Sequence, residues 1–587
     1  MFNSHHSLAL SLTLVPFLFV CTLALPQRPV ATAAEAAYKK GLEAVKAGDL
    51  PAARAAFEET VKLAERSPEA HNSLGWVLLT QGEVDQAISQ FRRALVLKAD
   101  FPQANINLAN ALLAARQVGE AAAAAHEALR LAPRDSEAYR TLGRVLDASG
   151  KSDAAIAEFT RAIKLDPKRA DLHDELGSIL ARKQQLTAAE NEFRQAISLD
   201  PRYQPAHFHL GVALLQAGDH KAARQELQKG TQLNPADAAA HYYLGALLES
   251  EHDDSGALQQ YQQALTLQPN NAPLQTRIGM LWQRSGDPER AAQAFQKVIE
   301  LTPDDPDAHN NLGLALMQHG QGDAAIKEFQ TALNLRPDDP GYRGNLGVAY
   351  LQKSNFDEAV KVLTQALKSG PQKADLHYNL ALALKLKDKL PEAIAELKEA
   401  ARLDPHLVDA YYTLGVTLWQ KGDFAEAAQQ LREAIRIQPD YAEAYYTLGS
   451  VLKQLNQLPD AVAALRQAIK LQPDFVGAHT NLAAVLRQMG DSAGAEAESR
   501  TAAQLSKEKT SLQAATFSTN SGTRLLNAGD LDGAISQFRN AVRLAPNYAP
   551  AHQQLAVALA RKGIKEESDA EFNRAAELDS RFKQERQ

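Results

Sequence analysis

The sequence predicts an all-α solenoid of sixteen helix-turn-helix repeats, and three observations carry that prediction. A small residue following a large aliphatic one falls at Gly75, Ala109, Gly143, Gly177 and onward to Ala483, with every step 34 residues. Between these marks the large apolar positions fall on single faces at the ~100° per residue of an α-helix. The composition favours helix, with Ala, Leu and Gln prominent and aromatics at only 6%. A unit this short cannot bury its apolar stripe alone, so each must stack on its neighbours.

Composition also excludes several classes. Hydrophobic residues at 45% and charged residues at 23% suit a chain that buries a core. A formal net charge of −7, from 63 basic and 70 acidic residues, leaves no basic footprint for nucleic acid. The one cysteine, Cys21, excludes a disulfide framework, an iron–sulfur site and a zinc ribbon.

The first element, residues 1–33, reads as an export signal. Leu8 to Leu25 carry no charge, and Ala31-Thr32-Ala33 fits a small-x-small cleavage site. The basic n-region is missing and Pro16 interrupts the run, so an uncleaved N-terminal anchor is the alternative. Lipidation at Cys21 is disfavoured by the bulky Leu18-Phe19-Val20 before it. The expected location is periplasmic or otherwise extracytoplasmic, with no membrane insertion once the signal is removed.

Fourteen repeats follow over 34–509, then an insertion at 510–514, two further repeats over 515–582 and a tail at 583–587. Numbering each repeat from its first residue puts the small residue at position 8. Position 20 is Ala in fifteen repeats, from Ala53 to Ala534, with Ser568 the exception. Position 24 is large and apolar in most repeats, as at Phe57, Phe159, Tyr261 and Phe538, and position 27 is nearly always Ala. Position 32 is Pro from Pro133 to Pro473 and again at Pro546. Positions 4, 7, 8 and 11 share one face of a first helix, helix A, and positions 20, 24 and 27 form the facing stripe of helix B. Small residues at 8 and 20 allow close approach. Gly-Asp pairs such as Gly48-Asp49 and Gly422-Asp423 turn the chain between helices, and Pro at 32 stops helix B.

On these residues the chain resembles the tetratricopeptide repeat (TPR) family over 34–582. It departs at position 4, where the family often has Trp and this chain has His in eight repeats, including His71, His207, His309 and His552. The resemblance implies a right-handed TPR superhelical solenoid whose A helices line a concave groove. It also implies a non-catalytic protein-interaction role. The subclass that clamps chaperone C-termini carries Lys at positions 2 and 5; here no repeat has Lys at either, so a carboxylate clamp would lack its cations.

No P-loop, dinucleotide fingerprint or His-Glu-x-x-His pair is present, and neither a cofactor nor a metal is expected. The position-4 histidines belong to successive helix pairs ~8–10 Å apart, too far to share a zinc at ~2.0–2.1 Å. They read as polar-tipped helix packing. Acidic residues at position 2, such as Asp375, Asp409 and Glu443, favour the helix dipole, with a ligand-contacting rim as the alternative.

The candidate binding face is positions 2, 5, 6, 9, 12 and 13 of helix A. Position 6 carries Asn107, Asn311, Asn345, Asn379 and Asn481, with Thr413 and Thr447 completing a run from Asn311 to Asn481. An amide both donates and accepts, so it can pair with a peptide unit without reading side chains. The TPR array of the O-linked N-acetylglucosamine transferases has a similar Asn ladder, though this chain has no transferase domain. Position 6 is expected to face water in the free protein, with idle consensus decoration as the alternative role. Tyr378, Tyr412 and Tyr446 at position 5 and Trp419 at position 12 would add apolar anchors.

These features predict an exported scaffold that binds extended peptide or protein segments in its groove. The alternative is an assembly subunit of an envelope or secretion machinery that binds folded partners through its convex face or ends. At 476–509, Ser499 and Lys507 replace the usual position 24 and 32 residues. Two readings follow for 505–518, a hinge or a longer connecting helix, and continued stacking is the expectation. The polar final helix B, with Glu566, Glu567 and Asp569, is expected to cap the stack.

Overall fold

The computed structural model describes residues 29–583, and among them it holds thirty-one α-helices, a 3-10 turn at Ser580–Lys583 and no strand. Most of the expected leader, including Cys21, lies outside the described residues. The first helix is Pro29–Lys46, so Ala31, Thr32 and Ala33 sit near its start. The chain divides into two compact units between Ser285 and Gly286. The first holds the helix pairs of 34–271 and the A helix Ala272–Arg284; the second runs from the B helix Pro288–Leu301 onward.

Within each unit the repeats are built alike. In 170–203, helix A is Ala170–Arg182 and helix B is Leu186–Leu199. The turn between them places position 15 in the left-handed region in all sixteen repeats. Ten use glycine, as at Gly48 (φ 75°) and Gly422 (φ 96°), and six use Arg116, Gln184, His252, Ser354, Asp388 or Asn456 at φ 57–61°. The next residue is the N-cap of helix B, and where it is Asp or Asn its side chain usually caps the helix. Asp49 accepts from the Ala52 amide at 3.0 Å, and Asp219 does the same for Ala222 at 3.0 Å.

Position 8 proves to be small for a specific reason. A Cβ on Gly177 would lie 2.6 Å from the Phe193 ring, and one on Gly313 2.6 Å from Phe329. The position-24 ring of helix B thus lies directly on the helix A backbone. Position 8 is Ala in four repeats; position 24 is itself small where it is Ala109 or Ala483, namely Ala125 or Ser499, but large where it is Ala381 or Ala556, namely Leu397 or Phe572. Leucines or isoleucine at position 7 are buried, from Leu74 to Leu482, and small or aliphatic residues at position 10 lie beside them.

Helices also pack between repeats. Pro68–Thr80, Pro102–Ala114 and Ser136–Ala148 form one row of A helices in the first unit. In the second unit Val408–Lys421, Ala442–Gln454 and Val476–Gln488 form another. The A-helix face therefore presents one helix per repeat, side by side.

The regular pattern stops at a helix of 36 residues, Ser492–Asn527. It serves as helix B of 476–509 and helix A of 515–548, and the insertion 510–514 lies within it. The expectation of continued stacking fails here. Position 3, a buried alanine in most repeats, is Phe517 at 70% exposure. Position 7 is Ser521 in place of leucine, and position 10 is an exposed Arg524. On the preceding side, position 21 is an exposed Glu496 where Ile88, Leu258 and Ile394 are buried elsewhere. Two faces carrying Glu496 and Arg524 would have to desolvate both charges to close in the manner of the other seams. The continuous helix instead carries the chain past this point. The same polar choices appear at Lys40 and Glu43 in repeat 34–67 and at Asp569 in 549–582, all exposed.

Candidate functional site

The A-helix face is assembled from position 6 outward. Position 6 does not face open water. Asn107 is 4% exposed and donates through Nδ2 to Asn72 Oδ1 at 3.0 Å. Asn345 donates to Asn310 Oδ1 at 2.8 Å, and Asn481 to Ser450 Oγ at 2.8 Å. Thr413 is buried and shares a hydrogen bond with Tyr378. Thr447, also buried, donates to the Glu443 carbonyl at 2.8 Å. The expected water-facing ladder is thus corrected to an inter-repeat seam. The cause is the side-by-side packing of A helices, which brings position 6 between positions 5 and 9 of the repeat before. Asn311 and Asn379 are half-buried and have no side-chain hydrogen-bond partner among the described residues, so their amides stay available.

The same seam is ionic in the first unit. Arg140, 3% exposed, pairs with Glu137 at 3.2 Å, Asp171 at 3.1 Å and Glu175. Arg144 Nε donates to Glu175 at 2.8 Å, and Arg169 pairs with Glu137 at 2.7 Å. One step on, His209 Nδ1 lies 2.7 Å from Asp174 Oδ1. Desolvation disfavours the charged ring, but the Asp174 carboxylate outweighs it and holds His209 above the usual histidine range. The sequence reading missed this network. Its signal was present in the Arg140/Glu175 and Asp174/His209 pairs, each 35 residues apart, which complement only if consecutive A helices touch.

In the second unit the face is aromatic. Tyr378, Tyr412, Tyr446 and Trp419 are all half-buried. Tyr412 stacks at 4.9 Å on Tyr441, and Tyr446 at 4.7 Å on Phe475. Tyr441 and Phe475 occupy position 34, just before the next A helix, and Leu407 holds that place beside Tyr378. The expected three tyrosines therefore belong to a six-member strip: Tyr378, Leu407, Tyr412, Tyr441, Tyr446 and Phe475. Position 34 went unnoticed because its residue types vary along the chain. Burial, then the neighbouring Tyr412 and Asp409, push the Tyr441 phenol up to about 12. Farther along helix A, burial alone lowers the Lys385 ammonium.

The position-4 histidines are bonded within the fold. His309 Nδ1 lies 2.7 Å from Glu328 and Nε2 donates to the Pro303 carbonyl at 3.0 Å; His207 bonds Glu226 and Pro201 at 2.7 and 3.1 Å. Each ties its own helix B to the loop before it. Among the described residues no group of three His, Cys, Asp or Glu is placed to hold a metal ion, and no helix is long and apolar enough to cross a membrane.

Family models match most of the chain in pieces. The model of the cilia and flagella-associated protein 70 C-terminal domain matches residues 305–518. Tetratricopeptide-repeat models match 38–105, 106–170, 519–581 and 180–248, and a further TPR-repeat model matches 283–320. No curated protein matches. Among solved structures, YrrB, described as "a TPR protein with an unusual peptide-binding site", is similar at 27% identity; the match covers 32% of this chain and 96% of that one, with a TM-score of 0.29. MamA of Desulfovibrio magneticus RS-1 is similar at 25% identity over 29% and 96%, with a TM-score of 0.27. Yeast Tom70 is similar at 17% identity over 79% and 100%, with a TM-score of 0.32.

Proposed function

We propose that this tetratricopeptide-repeat protein is a non-catalytic scaffold that binds extended peptide segments along the A-helix face of 306–509. The observation that carries this reading is the half-buried strip from Tyr378 to Phe475, which offers ring faces on a preformed surface. Aromatic anchors of this kind dominate binding energy at interfaces. The amides of Asn311 and Asn379 flank the strip and suit peptide backbone. Asn481 ties the helix after Phe475 to the one that carries Tyr446, Asn345 and Asn107 make the same kind of tie in earlier repeats, and Thr413 and Thr447 pack beneath the strip. Trp419 extends the apolar surface.

The test is selection of a displayed peptide library on the full chain, followed by binding isotherms for the Tyr412→Ala and Tyr446→Ala variants. Each loss of a stacked ring is expected to weaken binding by about 1–2 kcal/mol, with a melting curve checking that the variant, which also loses packing, remains folded. Normal binding in both variants would move the site elsewhere. Export belongs to the same proposal. Cell fractionation with N-terminal sequencing is expected to find the mature chain starting near Ala34; an intact Phe2 or Asn3 start would favour the anchor.

A further inference from the structure

We infer that the strip over 374–475 selects a basic ligand, an extended segment with a lysine or arginine at every third position. This deepens the groove reading above and rests on it. The argument starts from the position-2 carboxylates. Elsewhere on the A-helix face four of the five are paired within the chain, and Glu35 in the first repeat is the exception. Glu69 pairs with Lys98 at 3.5 Å, Asp307 with Arg336 at 3.4 Å, and Glu137 and Asp171 with Arg169. The cations come from positions 31 and 34. In 374–475 those positions hold Asp404, Gln438 and Gln472, and Leu407, Tyr441 and Phe475. At 407, 441 and 475 the cation has been replaced by the apolar strip itself, while Lys373, at position 34 before Asp375, is exposed and makes no ion pair with it.

Asp375, Asp409 and Glu443 are consequently exposed, with no ion-pair partner among the described residues. Asp440 and Asp474, directly before Tyr441 and Phe475, are also exposed and unpaired there. The cations nearest in sequence are Lys373 and His406, and Arg436 and Lys470 four residues before Asp440 and Asp474, all exposed; Arg436 pairs with Glu433 at 2.7 Å. Lys385 and Lys453, at position 12, lie ten residues farther along their helices, ~15 Å away at the opposite edge. The rim that carries the ring faces is thus strongly acidic. Ring faces attract cations, and unpaired carboxylates beside them add Coulomb attraction of the same sign.

Spacing sets the register. Consecutive A helices lie ~8–10 Å apart, so the carboxylates recur at about that step. A polyproline II chain rises ~3.1 Å per residue with three residues per turn, returning a side chain to one face every ~9.3 Å. A β-strand returns one every ~6.6 Å and falls out of step.

The probes are four nine-residue peptides on the full chain: Arg at positions 1, 4 and 7, Gln at those positions, Glu at those positions, and one with its three arginines contiguous. The arginine peptide is expected to bind tightest and to weaken steeply with salt. Combining Asp375→Asn, Asp409→Asn and Glu443→Gln should lower its affinity about tenfold, to the level of the glutamine peptide. These side chains are exposed, and a melting curve checks that the variant folds. If arginine and glutamine peptides bind alike, or the glutamate peptide binds tightest, the inference is overturned and the groove reading stands. If the arginine peptide matches a version with its three arginines contiguous, the register is wrong. If no peptide binds, including those from an unbiased library, the groove reading itself falls.

Discussion

At Gly177 a single methyl group would stand 2.6 Å from the Phe193 ring. That one distance explains why position 8 stays Gly or Ala along the chain. It was half legible beforehand, since both positions stand out in the repeat, but their direct contact does not follow from spacing. His209 shows the opposite case, a residue whose role appears only in space. Its pKa is raised by Asp174, so the protonated ring bonds more strongly in the folded chain than in the unfolded one. That stabilisation is complete below the ordinary histidine value of about 6.5 and is lost as pH rises through the higher folded value. Hydrogen exchange across Ala170–Ala217, corrected for intrinsic rates, should therefore show weaker protection at high pH than at pH 6. His209→Gln should remove that difference. An unchanged slope in the variant would assign the effect elsewhere.

The helix pair was legible almost entirely, because each element repeats its own punctuation. The Gly-Asp turn reads directly: glycine takes the left-handed residue and aspartate caps the next helix, except at Asp423, which pairs with Lys421 instead. What spacing could not show is that the turn is invariant even without glycine. Gln184, with φ 60°, adopts a conformation that costs a residue with a Cβ about 1–2 kcal/mol. Gln184→Gly relieves that cost but loosens the unfolded chain by about 0.4–1 kcal/mol. The variant is expected to be more stable by roughly 0.5–1 kcal/mol, read as a higher denaturation midpoint. A lower midpoint would mean that Gln184 makes a compensating contact. Position 6 was legible as a pattern and misassigned as a surface. Helical periodicity separates faces about one axis, whereas the distance between neighbouring A helices depends on the whole stack.

Across the whole chain, the departure at Ser499 and Lys507 marked the break correctly in place. Its meaning lay in residues that looked unremarkable singly, Glu496, Ser521 and Arg524. Residues 506–510 of the long helix are exposed on every side and gain no cover from packing. Isolated helical turns open most readily. Limited trypsin digestion of the full chain is expected to cut first at Lys507 or Lys509. A first cut within the well-packed stretch 374–475 would show that the long helix is covered in solution.

The long helix has a consequence for how such a gene can change. Most junctions between repeats here are buried seams, where an added or deleted unit must match the side chains at positions 7 and 10 on both sides. Between Lys507 and Ala514 no seam exists to match. Recombination at that point can exchange, duplicate or discard the two repeats of 515–582 without exposing apolar surface on the stack before them. Variation among homologues in the number of repeats should therefore concentrate at this junction.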